Sequence, residues 1–350
     1  MFNSSDYRCF TKFFEFLSKK IRNFKVKYSE VWKMGKNIKL VIVIPAFNEE
    51  EMLNITIEKI SGVVQGLIDA NKIAYDSKIL LVNDGSTDNT WQIIKDTSKI
   101  NEKVTGISFS RNYGHQNALL AGIQTASDAD AIISVDADLQ DDINVIPDMV
   151  DAYLDGNEVV YGVRNNRDTD SFFKRTSAMM FYKLMNLFGA NTVQNHADYR
   201  LLGRKAINAL LQYKERNLFL RGIVPQVGFK STKVYYKRAE RVAGESKYPL
   251  KKMIKFAMDG ITSFSTVPLR LILWTGFMSV LIAIALGIIT IVQHINGATL
   301  RGWSSIMLSI WFIGGVQLIS IGIIGEYLGK VFIESKHRPL FQIDENLYND

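Results

Sequence analysis

Short apolar runs that alternate with helical patterns confine this chain to an α/β fold. The runs are Leu40–Ile44, Ile79–Val82, Val104–Phe109, Ala131–Val135 and Glu158–Gly162. Between them, helical patterns are read at about Glu51–Ala70, from Trp91 through Lys95, at Asn117–Ala126 and near Val145–Leu154. Strands and helices in that order build βαβ units and a mainly parallel, Rossmann-like sheet. In such a sheet the ligand crevice lies beyond the carboxyl ends of the strands, so the loops at those ends are where chemistry is expected.

The loop after Ala131–Val135 is the most pointed. The run ends in Asp136-Ala137-Asp138-Leu139-Gln140, two carboxylates one residue apart. Such a pair suits a hard divalent cation, Mg²⁺ or Mn²⁺, which takes one or two carboxylates and fills its shell with water and substrate phosphates. The plain alternative is an acidic, solvated turn. Glu49 and Asp84 end the first two runs and suit ribose hydroxyls or base N–H groups. The plain alternatives are helix-start charge for Glu49 and an Asx-turn or cap for Asp84. No Walker P-loop and no Gly-x-Gly-x-x-Gly follows the first run. A bound diphosphate would therefore rest on a metal and on basic side chains rather than on a glycine cradle.

Composition matters most toward the C-terminus. Leu271–Val292 and Trp303–Gly325 are uncharged, apolar all round and long enough to cross a bilayer. Buried core helices are the alternative. The link Gln293–Gly302 carries Arg301 alone, while Arg270, Lys330, Lys336 and Arg338 flank the pair. By the positive-inside rule the N-terminal domain and the tail are cytoplasmic. The net charge is +7. The basic residues cluster before Lys39 and over Arg238–Lys255, which suits an anionic membrane surface better than nucleic acid. Phe10 to Phe24, Ser171–Phe188 and Lys247–Phe264 read as basic amphipathic segments for a membrane interface, or else as ordinary packed helices or, for the first, a loose tail. Cys9 is the single cysteine, so no intrachain disulfide forms, as befits a reducing compartment. The expected organisation is a basic segment at 1–38, a catalytic domain at 39–235, a basic loop and interfacial helix at 236–266, a two-helix membrane region at 267–328 and a cytoplasmic tail at 329–350.

Taken together, Val43–Glu50, Asn83–Asp88, Ser110–His115, Asp136–Gln140, Ala197–Leu202, Arg241–Pro249 and Tyr327–Lys330 resemble the inverting family-2 glycosyltransferases. Within that family they are similar to the polyprenyl-phosphate enzymes: bactoprenol glucosyltransferases and dolichol-phosphate mannose synthases. The resemblance runs in order from about residue 39 to the end. It implies a GT-A catalytic domain, a nucleotide-sugar donor (UDP-glucose first), undecaprenyl phosphate as acceptor, Mg²⁺ or Mn²⁺, multi-pass residence in the cell inner membrane, and a homo-oligomer. Carried over by position, Pro45, Phe47, Glu49, Asp84, Asn112 and Gly114 border the nucleotide. Asp136, Asp138 and Gln140 surround the metal and diphosphate, with Asp138 also placed among the catalytic residues. Asp198 and Arg200 face the sugar and the reacting phosphates, and Arg164, Arg175 and Lys247 receive the lipid phosphate. Two departures stand out: Asn83 where the family commonly has an acid, and Ala178 where a Ser is usual. Rival readings are UDP-N-acetylglucosamine or GDP-mannose as donor, a processive polysaccharide synthase, whose usual Gln-x-x-Arg-Trp is not found, and a non-catalytic membrane scaffold.

Overall fold

The computed structural model describes residues 37–165, 196–215, 219–237, 266–295 and 303–348. The basic segment before Lys39 up to residue 36, Ser171–Phe188 and Lys247–Phe264 lie outside the described residues, and with them Arg175, Ala178 and Lys247.

Strand β1 (Leu40–Ala46) is buried at every position and runs one residue past Pro45. Its even-numbered side chains face one core and Val41 and Val43 face the other, because successive residues of a strand point to opposite faces. Helix α1 (Leu53–Asp69) covers the first face through Leu53, Ile57, Ile60, Val64 and Leu67, a spacing of three or four that makes one helical stripe. Each such side chain contributes about 1.5–3 kcal/mol when fully buried, and Ile60→Ala would cost about 2–5 kcal/mol. Thr56 on the same stripe donates to the carbonyl oxygen of Ala137 at 2.7 Å, tying α1 to the acidic loop.

Strand β2 (Lys78–Asn83), helix α2 (Thr90–Ile100), strand β3 (Val104–Phe109), helix α3 (His115–Thr125), strand β4 (Ala131–Ser134), helix α4 (Ile146–Leu154) and strand β5 (Val159–Arg164) follow in the expected order. Next come β6 (His196–Gly203), α5 (Arg204–Leu210), α6 (Leu220–Gln226) and β7 (Ser231–Tyr236). Helices α1, α2 and α4 pack on one face of the sheet, and α3, α5 and α6 on the other.

The sheet order is β7-β5-β6-β4-β1-β2-β3-β8, with β8 formed by Ile343–Asn346. Strands β4, β1, β2 and β3 are mutually parallel. The fifth run does not join β4 directly. Strand β6 lies between β4 and β5 and is antiparallel to both. Two reversals leave β5 parallel to β4, and β7 is parallel to β5. The carboxyl ends of β1, β2, β4, β5 and β7 therefore share one edge of the sheet, where β6 begins.

Two long helices close the chain, α7 (Val267–Ile295) and α8 (Trp303–Ser335), and they touch each other. Of these, Phe312–Ser335 is long and apolar enough to cross a membrane by length and composition, while Val267–Ser279 is apolar but shorter. Their large apolar side chains, among them Trp274, Phe277, Leu318 and Ile319, are exposed. Helix α8 runs beyond the expected boundary at 328, and the segment expected as a tail returns to the sheet. There β8 pairs antiparallel with β3 and Phe341 stacks on Phe109 with ring centroids 5.2 Å apart. Trp91 Nε1 donates to Glu345 at 2.8 Å, and the Tyr348 hydroxyl donates to Asp128 at 2.9 Å.

Candidate active site

A cleft of about 900 Å³ opens at the carboxyl edge of the sheet. Pro45, Phe47, Glu49, Asp84, Asn112, Gly114, Asp136, Asp138 and Asp198 line it. Tyr113, His115, Gln116 and Arg221 line it as well. Gln140, Arg200 and Arg164 do not.

One wall of the cleft is a set of interlocked turns. Asn48, in left-handed backbone (φ 55°), accepts from Thr87 N at its side-chain oxygen (2.9 Å) and donates its own N–H to Ser86 Oγ at 3.0 Å. Glu49 N donates to Thr90 Oγ1 at 2.9 Å, and Glu49 lines the cleft. Asp84 is almost fully buried and does not form a local Asx-turn. Its two oxygens accept from Tyr113 N (2.7 Å) and Gly114 N (2.9 and 3.2 Å), holding the start of α3. Burial raises its pKa, against these amides and the nearby His115. Gly85 is required beside it: at φ +66° a Cβ would lie 2.3 Å from the carbonyl carbon of Arg111. The buried amide of Asn83 donates to Ser108 Oγ at 2.8 Å and accepts from Ser86 N at 3.1 Å. With an acid at this position the Ser108 hydroxyl would have to donate instead, so the amide keeps the same contacts without adding a buried charge.

Opposite stand the acids. Asp138 accepts from Gln140 N at 3.2 Å around Leu139, whose φ of 51° costs an apolar residue about 1–2 kcal/mol. Such strain is typical of a loop held for function. Asp136 is pushed up to about 6, first by burial and then by crowding from Asp141, Asp198 and Asp138, with His115 opposing. Among the described residues no three His, Cys, Asp or Glu side chains form a ready-made metal cage. Two crowded carboxylates facing an open cleft nonetheless fit Mg²⁺ or Mn²⁺, which leaves most of its shell to water and phosphate oxygens. Gln140 is buried and turned away from the cleft lining.

Asp198 sits near the start of β6, one strand from Asp136. Alternation along β6 puts Tyr199 and Leu201 into one core, and Asp198 and Arg200 on the opposite face. Arg221 meets Asp198 with Nη2 at 3.0 Å and Nε at 3.3 Å, and Gln116 Nε2 adds a bond at 3.3 Å. His115 Nε2 lies 3.6 Å from both Asp198 and Asp136. Burial alone would raise the Asp198 pKa, but Arg221, His115 and Arg200 hold it well below the usual carboxylate range. For His115, burial opposes charge, yet Asp198 and Asp136 outweigh it and raise its pKa. Arg200 is 2% exposed, donates to Asp198 and to the carbonyl oxygen of Leu220, and stands behind Asp198 rather than in the cleft. The guanidinium in the cleft belongs to Arg221, on the short helix α6. Nothing in the local pattern of Leu220–Gln226 marks it. His115 was within reach of sequence, since it ends the Ser110–His115 motif, whereas Gln116 lies just past it.

Residues 41–211 match the family described as Glycosyl transferase family 2, and residues 267–331 match one described as GtrB C-terminal hairpin. The chain is 53% identical over 312 residues to "Uncharacterized glycosyltransferase YkoT" of Bacillus subtilis (strain 168), across 89% of this chain and 93% of that one. The chain is a family 2 glycosyltransferase. This glycosyltransferase is also 40% identical over 308 residues to "Bactoprenol glucosyl transferase" of Shigella phage SfV, across 87% of its own length and 98% of the relative. Among solved structures it is similar to mannosyl-3-phosphoglycerate synthase from Rubrobacter xylanophilus, with 15% identity, TM-score 0.47, and coverage of 69% of this chain and 77% of that one.

Proposed function

We propose that the enzyme transfers glucose from UDP-glucose to undecaprenyl phosphate at the cytoplasmic face of the membrane, inverting the anomeric carbon. The observation that carries this reading is that Asp136, Asp138 and Arg221 line one cleft, in a sheet whose last strand follows a helix able to cross a bilayer. The bactoprenol glucosyl transferase relatives favour a polyprenyl phosphate acceptor and a glucosyl donor. The hairpin match over 267–331 favours α7 and α8 as two adjoining spans, and the family resemblance favours a homo-oligomer.

The chemistry follows from charge. A phosphomonoester has a second pKa near 6 and is largely dianionic at neutral pH, so it attacks without a strong general base. That suits Asp198, whose lowered pKa and saturated oxygens make it a poor proton acceptor. Asp198 instead holds Arg221 side-on to the cleft, where the cation offsets the repulsion between acceptor phosphate and nucleotide diphosphate. The His115 imidazole, raised toward its charged form, adds to that field. Phe47, exposed at the cleft wall, offers a face for the base, and Glu49 a carboxylate for ribose hydroxyls. Asp136 and Asp138 would hold a divalent cation, which would supply charge for the departing diphosphate. Direct displacement turns an α-linked donor into a β-linked product. In this reading Arg164, with Arg175 and Lys247, receives the acceptor phosphate, as the family resemblance implies.

The test is donor turnover by the full chain in detergent, with a panel of UDP-glucose, UDP-N-acetylglucosamine and GDP-mannose, each with and without undecaprenyl phosphate. Acceptor-dependent consumption of UDP-glucose alone is expected. Preference for another donor overturns the glucose assignment, and turnover independent of the lipid overturns the acceptor.

A further inference from the structure

Arg164 ends β5, and Tyr236, its neighbour in register, ends β7, so both stand at the edge of the sheet that carries the cleft. Asp141 reaches the same point from the loop that bears Asp136 and Asp138. The three side chains close a ring. The Tyr236 hydroxyl donates to Asp141 Oδ1 at 2.5 Å and accepts from Arg164 Nε at 3.2 Å, while Arg164 Nη2 donates to the same Oδ1 at 3.0 Å. We propose that Asp141 and Tyr236 are positioning residues that fix the Arg164 guanidinium to receive the phosphate of the acceptor. The inference rests on the reading that Arg164 meets that phosphate.

Three features separate this ring from an ordinary core network. First, the ring uses two of the five N–H groups of the guanidinium. Among the described residues none takes the other three, which include both on Nη1, and they suffice for a forked contact with a phosphate. Second, Asp141 is 1% exposed at its side chain, yet its Oδ2 has no partner among the described residues. A buried carboxylate serving through one oxygen is a poor device for stability, since apolar groups of the same volume would do better. Third, Arg164 is partly exposed where its partners are not, so its free end reaches solvent at the crevice edge. Burial opposes its charge, but Asp141 and Tyr236 overcome that and raise its pKa, so the cation is secure. Because Asp141 lies three residues beyond Asp138, the loop with the cleft acids also fixes this cation.

Tyr236→Phe removes one hydroxyl and leaves the packing, and Asp141→Asn removes the charge at nearly the same shape. Steady-state kinetics of the full chain, with undecaprenyl phosphate and the nucleotide sugar varied in turn, are compared with Arg164→Gln and with Arg164→Gln combined with Tyr236→Phe. Each single variant is expected to raise the apparent KM for the lipid about tenfold while UDP affinity by calorimetry stays within about twofold, and the double variant is expected to match Arg164→Gln alone. If Arg164→Gln raises the lipid KM but Tyr236→Phe and Asp141→Asn only lower the melting temperature, the ring is structural and the proposal fails while the acceptor reading stands. If Arg164→Gln leaves the lipid KM unchanged, the acceptor reading fails and the proposal with it.

Discussion

Arg221 and Asp198 meet side-on across the mouth of the cleft, with Nη2 3.0 Å and Nε 3.3 Å from the two carboxylate oxygens. Arg200 approaches the same carboxylate from inside the protein. One buried anion thus organises two guanidinium groups, one walled in and the other lining the cleft.

Removing that anion leaves Arg200 buried without its counter-charge. Asp198→Ala is expected to lower unfolding stability by about 3–5 kcal/mol, so that lost turnover accompanies a lost fold. Denaturant unfolding of Asp198→Ala beside Asp198→Asn measures this. An Ala variant as stable as the wild type would show that Asp198 acts on substrate alone.

Lysine cannot reproduce the two-point contact of Arg221. Arg221→Lys is expected to reduce kcat about tenfold, or ~1.4 kcal/mol in the barrier, with a smaller change in stability. Single-turnover rates at saturating donor and lipid check this.

Asp84 holds the loop at Tyr113 and Gly114, which lines the cleft. Asp84→Ala leaves the Tyr113 and Gly114 amides without their acceptor, at a cost of about 1–3 kcal/mol in stability, and is expected to weaken UDP binding about tenfold. Asp84→Asn, which keeps an acceptor oxygen, is expected to lose less. Calorimetry with UDP decides, and equal losses in both variants would mean that the charge itself contacts the nucleotide.

The acid pair predicts how metal and pH interact. Activity is expected to require Mg²⁺ or Mn²⁺, and Asp138→Ala, on a partly exposed loop, to abolish turnover without unfolding the chain. Asp136 has its pKa raised from 3.8 to about 6, so the folded protein holds that proton where the unfolded chain has lost it. Folded-state stability in the absence of metal is then greater at the acid end of that window and declines as pH rises through about 6. Metal needs the ionised form, so Mn²⁺ affinity runs the opposite way and falls as pH drops from 7 to 5. Asp136→Asn should raise the metal-free melting temperature at pH 7 while eliminating turnover. Thermal unfolding against pH, with EDTA and with Mn²⁺, tests both signs.

Strands β1 to β4 and the acids at their ends were legible because each is a local pattern: an apolar run, then a polar loop. Strand β6 was not, because Asp198 and Arg200 interrupt its apolar side chains, and its place between β4 and β5 is a matter of topology. The same limit hid that Arg221 lines the cleft and that Arg200 is buried behind it. A sequence shows two arginines, and only the packed fold shows which one is walled in. Tyr236 and Asp141 are likewise far apart in sequence and meet only because β7 lies beside β5. Strand β8 escaped notice since Ile343-Asp344-Glu345-Asn346 carries almost no apolar signal of its own.

That last strand bears on how the protein is made. Trp91 and Glu345 are hydrogen-bonded though 254 positions apart, and β8 leaves the ribosome after both long helices. Until then β3 has one side without a partner, open to pairing with any other exposed strand. Completion of the catalytic sheet therefore waits on the C-terminal helices having found their place, and an interrupted chain would be left adhesive rather than merely inactive. A chain ending at Ser335 is expected to aggregate on extraction even where its cleft residues are all present.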